Sequence, residues 1–281
     1  MPDKVYDSFI KLHSTYENKA LRILLKEFND LFSSINFGNL SFDERISESV
    51  IALNINEDAI EKALFKVHYT IGLQYGRMIA RQIRKQNPIN QKAFKSLPFF
   101  DTEFRDYILD YFHVYGGRQI KTLSKTAVRS VIAELRKSTR ENESLEQMRD
   151  RIMKKVKKKD FYAWQVMRIV RTETTIAMNS AKEIAGITSG VEMDKIWLTR
   201  LDGRERHTHE VANQQKTTQK GLFTVGGYKM KFPGDRTNGA SADEIINCRC
   251  TYSYQAKRNE SGSLIFNDEE EIQAMLREMR G

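Results

Sequence analysis

The sequence predicts an α+β protein: a long, mainly helical N-terminal part followed by a small α+β C-terminal domain with a short antiparallel sheet. Three observations predict it. Apolar residues recur at helical spacing through roughly the first two-thirds of the 281 residues. Beyond residue 190 the pattern gives way to short alternating runs. Within those runs Gly226-Gly227 joins LFTV to YKMKF, the signature of a hairpin with a two-residue primed turn.

The first helix is expected over residues 3–33, with Val5, Phe9, Leu12 and Tyr16 and then Leu21, Leu24, Leu25, Phe28 and Leu31 at helical spacing. Ser33, Ser34 and Gly38 break it before Phe42. Periodicity resumes at Asp58 and runs through Ile60, Leu64, Val67, Ile71, Tyr75 and Ile83, ending near Pro88, while Pro98 closes an irregular loop. Asp101 then reads as an N-cap for a helix carrying Phe104, Ile108 and Phe112. Past Gly116-Gly117 a further helix is expected from Ile120 to Leu135. Ser144 and Gln147 have the spacing of a capping box before Leu145, Met148 and Ile152. Asp160 opens the last long helix, through Trp164, Val170, Ile176 and Ile184, which stops near Gly186 or Gly190. IWLTR (196–200) and CRCTYSY (248–254) read as strands. Asn267 is expected to cap a terminal helix lined by Ile272, Met275, Leu276 and Met279.

Composition bounds the rest. A hydrophobic fraction of 40% is enough for a folded core, which argues against wholesale disorder. No apolar run approaches the roughly eighteen residues needed to cross a bilayer, and the N-terminus has no apolar leader segment, so a protein made and kept in a reducing cytoplasm is expected. Two lone cysteines agree with that compartment. A net charge of +9 and a pI near 9.4 point to a polyanionic partner. The densest basic run is 149-RDRIMKKVKKKD, where Lys154, Lys155, Lys157, Lys158 and Lys159 are the candidates for sequence-indifferent contacts to DNA phosphate. A helix-turn-helix over residues 118–160 is disfavoured, because the connection STRENES is long and charged.

Two clusters carry chemistry. Both cysteines lie in NCRC, and in an extended strand Cys248 and Cys250 share one face. A pair so close cannot readily bridge itself, but offers two thiolates to a soft cation. Upstream, LDGRERHTHE holds His207 and His209 beside Asp202. Brought together, His207, His209, Cys248 and Cys250 make a tetrahedral nitrogen and sulfur shell for zinc. The same residues support a second reading, a polar network of Arg171, Glu173, Asp202, Arg204, Arg206 and His209 that braces the small sheet, since buried charges persist only when paired. A third is a metal-dependent nuclease using the HTHE cluster. No nucleophile with an orienting base stands at recognisable spacing, so the chain is not expected to be an enzyme.

The order of these segments carries a resemblance. The series RTE on a helix, then W-x-T-x-x-D-x-R-x-R-x-x-H, then a GLFTVGG hairpin, KFPGD and NCRC resembles the head-morphogenesis or minor head protein family of tailed bacteriophages, whose namesake is the F protein of phage Mu. It covers about residues 160–255, which divides the chain into a helical region, 1–159, and a Mu F-like domain, 160–281. The resemblance implies a low-copy virion component inside the head, made in the host cytoplasm and acting in head assembly or DNA ejection. Its partners would be the portal protein and packaged double-stranded DNA, bound non-specifically, with scaffold or major capsid protein as further ones and no membrane. A non-specific DNA-binding protein is the alternative. Relatives of that kind carry C-x-x-C where this chain has Arg206-His-Thr-His209, in what look like zinc sites. Here His209, Cys248 and Cys250 remain as a partial set, needing Asp202 or His207 to complete it. Some members are fused to toxin or transferase domains, and the segment after Tyr254 is too short to be one.

Overall fold

The computed structural model describes residues 2–33, 57–86, 97–115 and 163–280, with isolated positions between 129 and 154. Among the described residues, four long helices come first: α1 (Pro2–Ser33), α2 (Glu57–Gln86), α3 (Leu97–Tyr115) and α4 (Ala163–Thr188). Helix α1 buries Phe9, His13, Ala20, Leu24 and Phe28, a stripe spaced by about one or two turns. Helix α2 buries Ile60, Leu64, Val67, His68, Ile71 and Tyr75, and has Glu57 and Asp58 in its first turn and Arg84 and Lys85 in its last, which complements the helix dipole at both ends.

Glycines set how closely α2 and α3 approach. Gly72 and Gly76 lie one turn apart on α2, and a Cβ at either would fall 2.0 or 2.1 Å from the ring tips of Phe104 and Phe100. The two rings fill the bare backbone groove, stacked 5.7 Å apart. Helix α3 begins earlier than Asp101, so that residue is not its cap. Asp101 lies inside the helix and takes both Nε and a terminal nitrogen of Arg77, at 2.9 and 2.5 Å.

Strand β1 (Met193–Leu198) is the middle of a three-stranded antiparallel sheet, flanked by β2 (Lys216–Thr218) and β5 (Thr251–Ala256). A separate hairpin, β3 (Phe223–Val225) and β4 (Tyr228–Met230), turns at Gly226 and Gly227, whose φ values of +57° and +85° are those of a type I′ turn. Three shorter helices are interspersed with the strands: α5 (His207–Ala212) between β1 and β2, α6 (Ala242–Ile245) between β4 and β5, and the terminal α7 (Glu269–Arg280). Helix α7 buries Ile272, Met275, Leu276 and Met279 as expected. Its capping box, however, is Asp268 with Glu271, while Asn267 is buried and donates to Gln219 Oε1. A second box forms where the sequence predicts it: Ser144 and Gln147 exchange reciprocal backbone bonds at 2.8 and 3.2 Å. The breaks near Ser34–Phe42, Pro88 and Gly116-Gly117, most of the helix expected from Ile120, and the start of α4 at Asp160 fall outside the described residues.

One hydrophobic cluster runs from Phe9 and Leu24 of α1 through α2, α3 and α4 to Trp197, Phe223 and Tyr252 of the sheets and Met279 of α7. Helix α4 lies at its centre and has no exposed face beyond Arg171 among its described side chains. Its polar residues therefore have to find partners in the interior. Asn179 donates to the carbonyls of Pro233 and Cys250, and Lys182 to Thr251 Oγ1 and the Tyr252 carbonyl. Glu183 accepts from Lys195 and Tyr252. The alternation RTETTIAMNSAKE thus locks the segment 248–252 in register against α4.

Candidate metal centre

Cys248 and Cys250 precede β5 instead of lying in it. The last ladder pair is Leu198 with Thr251, and the carbonyls of the two cysteines are taken by α4: Cys248 by Thr175 Oγ1 at 2.7 Å, Cys250 by Asn179 Nδ2 at 3.1 Å. The expected strand stops at Thr251 for that reason. What remains is a tight bend, with Asn247 at a positive φ of 56° and the Cys250 N–H donating to Cys248 Sγ at 3.4 Å. Both thiols still face one way.

Helix α5 delivers His209 to them. Its Nδ1 lies 3.2 Å from Cys250 Sγ and 3.7 Å from Cys248 Sγ, and all three side chains are buried. His209 Nε2 faces Glu244 Oε2 of α6 at 3.0 Å, and Thr208 donates to the same oxygen at 2.9 Å. An imidazole that donates from Nε2 to a carboxylate presents its bare Nδ1 lone pair to the thiols, which is the tautomer a metal-ligating histidine needs. The His209 carbonyl is fixed in turn by Thr199 Oγ1 at 2.6 Å, and Trp197 Nε1 donates to that hydroxyl.

The donor set fits a zinc-type ion. The three ligand atoms lie within 4.8 Å of one another. Tetrahedral bonds of ~2.0 Å to nitrogen and ~2.3 Å to sulfur require nitrogen–sulfur edges of ~3.5 Å, and the two edges found here bracket that length. The electrostatics agree. The Cys250 thiol and His209 hold Cys248 well below the ordinary thiol range, against its burial, whereas burial pushes Cys250 well above it. Burial pulls His209 down, but hydrogen bonding to Cys248 and the Cys248 charge more than offset this and raise it. The lowered Cys248 thiol and the Nδ1 lone pair left bare by the Nε2–H tautomer both suit a divalent cation between them.

Neither residue expected to complete the shell does so. His207 is 86% exposed and pairs with Glu210. Asp202 accepts both terminal nitrogens of Arg249, at 2.8 and 2.9 Å, and Arg200 Nε at 2.8 Å, which holds its carboxyl down at about 2. The expected single network also divides. Arg171 faces Glu17 of α1 at 3.5 Å, and Glu173 is buried against His68 at 2.7 Å and Arg236 at 3.6 Å. Arg206 donates to the Ile246 carbonyl, and Arg204 contributes its backbone N–H to Asp202. Each group pairs with what lies beside it, so several separate local contacts form where one network was expected. Lys154 is exposed, and Lys155, Lys157, Lys158 and Lys159 lie outside the described residues.

Sequence reasoning does not reach Glu244 or Thr175. Glu244 sits in a four-residue helix with no apolar pattern of its own, so nothing local marks it. Thr175 has a signal: it lies among polar residues crowded onto an otherwise apolar helix. Its hydroxyl receives His13 Nε2 of α1 at 2.8 Å, which extends the support of the thiols to the N-terminal helix.

No family model matches the chain. No solved structure matches it. A 95-residue stretch is 34% identical to the NAD(+)–arginine ADP-ribosyltransferase EFV of Enterococcus faecalis, covering 31% of this chain and 18% of that protein. The chain thus spans less than a fifth of the curated relative it matches. This corrects the expectation of a chain without enzymatic activity, since the relative is named as a transferase. No helix among the described residues is long and apolar enough to cross a membrane.

Proposed function

We propose that the chain is a minor head protein of a tailed bacteriophage, bound at the portal inside the capsid, in which a zinc ion held by His209, Cys248 and Cys250 fastens the C-terminal module. What supports the reading is one observation. Of the residues that carry the family resemblance, Thr172, Trp197, Thr199, His209 and the run Asn247-Cys-Arg-Cys250 come together around the candidate metal centre. Trp197 and Thr199 position His209, Thr172 accepts the Asn247 N–H at 3.0 Å, and the thiols close the group. Side chains scattered over eighty residues have a common purpose only if that site is kept.

Zinc would supply a cross-link between α5 and the 248–250 bend. This chain's own residues do the rest: Glu244 orients His209, Thr175 and Asn179 fix the two cysteine carbonyls, and Trp197 closes the apolar side. The transferase relative suits this reading, because a shared stretch that is 18% of one chain and 31% of another is what a module joined to different remainders produces. The assembly role is tested by imaging procapsids with this subunit labelled. Density at the inner face of the portal vertex is expected, and label confined to the outer shell would remove the reading.

A second reading, transfer of ADP-ribose from NAD(+) to arginine, is favoured by the activity in the relative's name. Incubation with labelled NAD(+) and an arginine-rich acceptor decides it. Incorporation establishes the reading, and none at large protein excess removes it.

A further inference from the structure

We infer that the open side of the metal centre is a phosphate-binding cleft, with the Arg204 and Arg206 guanidinium groups as its anion clamp. The cleft is small and open to solvent, and its floor is the His209, Cys248 and Cys250 group. Arg200, Arg204, Arg206 and Arg249 line it, against the acidic residue Glu205 and the adjoining Asp202. Both carboxylates are already engaged. Asp202 is saturated by Arg249 and Arg200, and Glu205 Oε2 accepts the Asp202 N–H at 3.0 Å. Among the described residues Arg206 donates to a carbonyl oxygen, that of Ile246, and to no carboxylate. The Arg204 guanidinium and the Asn247 side-chain amide, both facing solvent in the cleft, have no partner among the described residues. Asn247 is also held at a positive φ, a conformation that costs a non-glycine residue and that collects at ligand sites.

An excess of planar, always-charged donors around a concave floor selects a tetrahedral oxyanion. The His, Cys, Cys group adds to that selection. Three protein ligands leave a tetrahedral ion one position short, unlike a closed structural site. Two thiolates and a divalent ion are together neutral, so the loaded floor does not repel an anion. In these two respects, the open position and the neutral floor, the inference rests on the zinc reading; the arginine clamp does not. The ligand is a phosphate group, either a free phosphate or a phosphodiester of the packaged DNA.

Isothermal titration of the full-length, zinc-assayed protein with inorganic phosphate, and separately with a short DNA duplex, tests it. Phosphate is expected to bind with Kd below about 1 mM and to weaken as salt rises. Arg204→Glu, at an exposed position whose guanidinium has no protein partner, is expected to weaken binding at least tenfold with its melting temperature unchanged. Arg204→Lys should retain part of it. If the duplex binds and phosphate competes with it, the phosphodiester is the source; if phosphate alone binds, the ligand is small. Binding of neither, or binding equal in Arg204→Glu, would overturn the inference. One zinc per chain without phosphate binding sinks the cleft alone. Absence of zinc sinks the metal reading, and the Arg204 series still decides the cleft.

Discussion

His13 shows how a residue far from the thiols in sequence is tied to them. Its ring is buried beneath α1, donates to Thr175, and is pushed down to about 4 from its usual 6.5, first by burial and then by Arg171 and Arg249. The folded value lies below the unfolded one, so the unfolded chain binds more protons between them. Stability is therefore predicted to fall as pH drops from about 6.5 toward 4, by about 3 kcal/mol at the end of that window. Urea midpoints for His13→Gln should show a flatter profile over the same range. At the proposed zinc site, His209→Ala removes one of the three candidate ligands and leaves Glu244 with Thr208 alone. The melting temperature should fall by about 5 °C or more, and adding zinc should no longer raise it. A His209→Ala protein that zinc still stabilises would place the ion elsewhere.

Among the elements, those governed by local chemistry are legible in the sequence. The Gly226-Gly227 hairpin, the Ser144–Gln147 box and the apolar stripe of α7 each follow from residues a few positions apart. The long helices α1, α2 and α4 are legible from their periodicity. What fails depends on distant partners. The run CRCTYSY alternates like a strand, yet only Thr251 onward pairs, because α4 side chains claim the cysteine carbonyls. Strand β1 begins at Met193, ahead of the expected 196, because Lys195, outwardly a solvent residue, is buried against Glu183 and the Lys231 carbonyl. Convergence of His209 on the thiols can be suspected from residue types, whereas Glu244 as its orienting partner cannot. The packing of α2 on α3 is tested at Gly76. Gly76→Ala places a methyl against the Phe100 ring, and a destabilisation of about 2 kcal/mol in chemical denaturation is expected. Gly227→Ala meets no neighbour but keeps a φ of +85°, so its cost, about 1 kcal/mol, comes from the backbone alone.

For the whole molecule, the helical part and the sheet share one core, so the site is braced from both ends of the chain. Helix α1 reaches it through His13 and through Tyr6, which donates to the Arg249 carbonyl, and α7 ties back to α3 through Arg280 and Glu103. In the proposed role, the net charge of +9 would supply non-specific attraction for DNA. Replacing Lys154, Lys155, Lys157, Lys158 and Lys159 by Gln should weaken duplex binding equally for all sequences and lower its salt slope by ~0.9 for each phosphate no longer neutralised. An unchanged slope would remove this run as a contact to DNA. These properties converge on the zinc site proposed at His209, Cys248 and Cys250, and elemental analysis of the purified full-length chain tests that site most directly. About one zinc per chain is predicted, falling to near none in the Cys248→Ser, Cys250→Ser double variant. A folded wild-type protein that takes up no zinc under saturating metal, or a double variant that keeps its zinc, would contradict it.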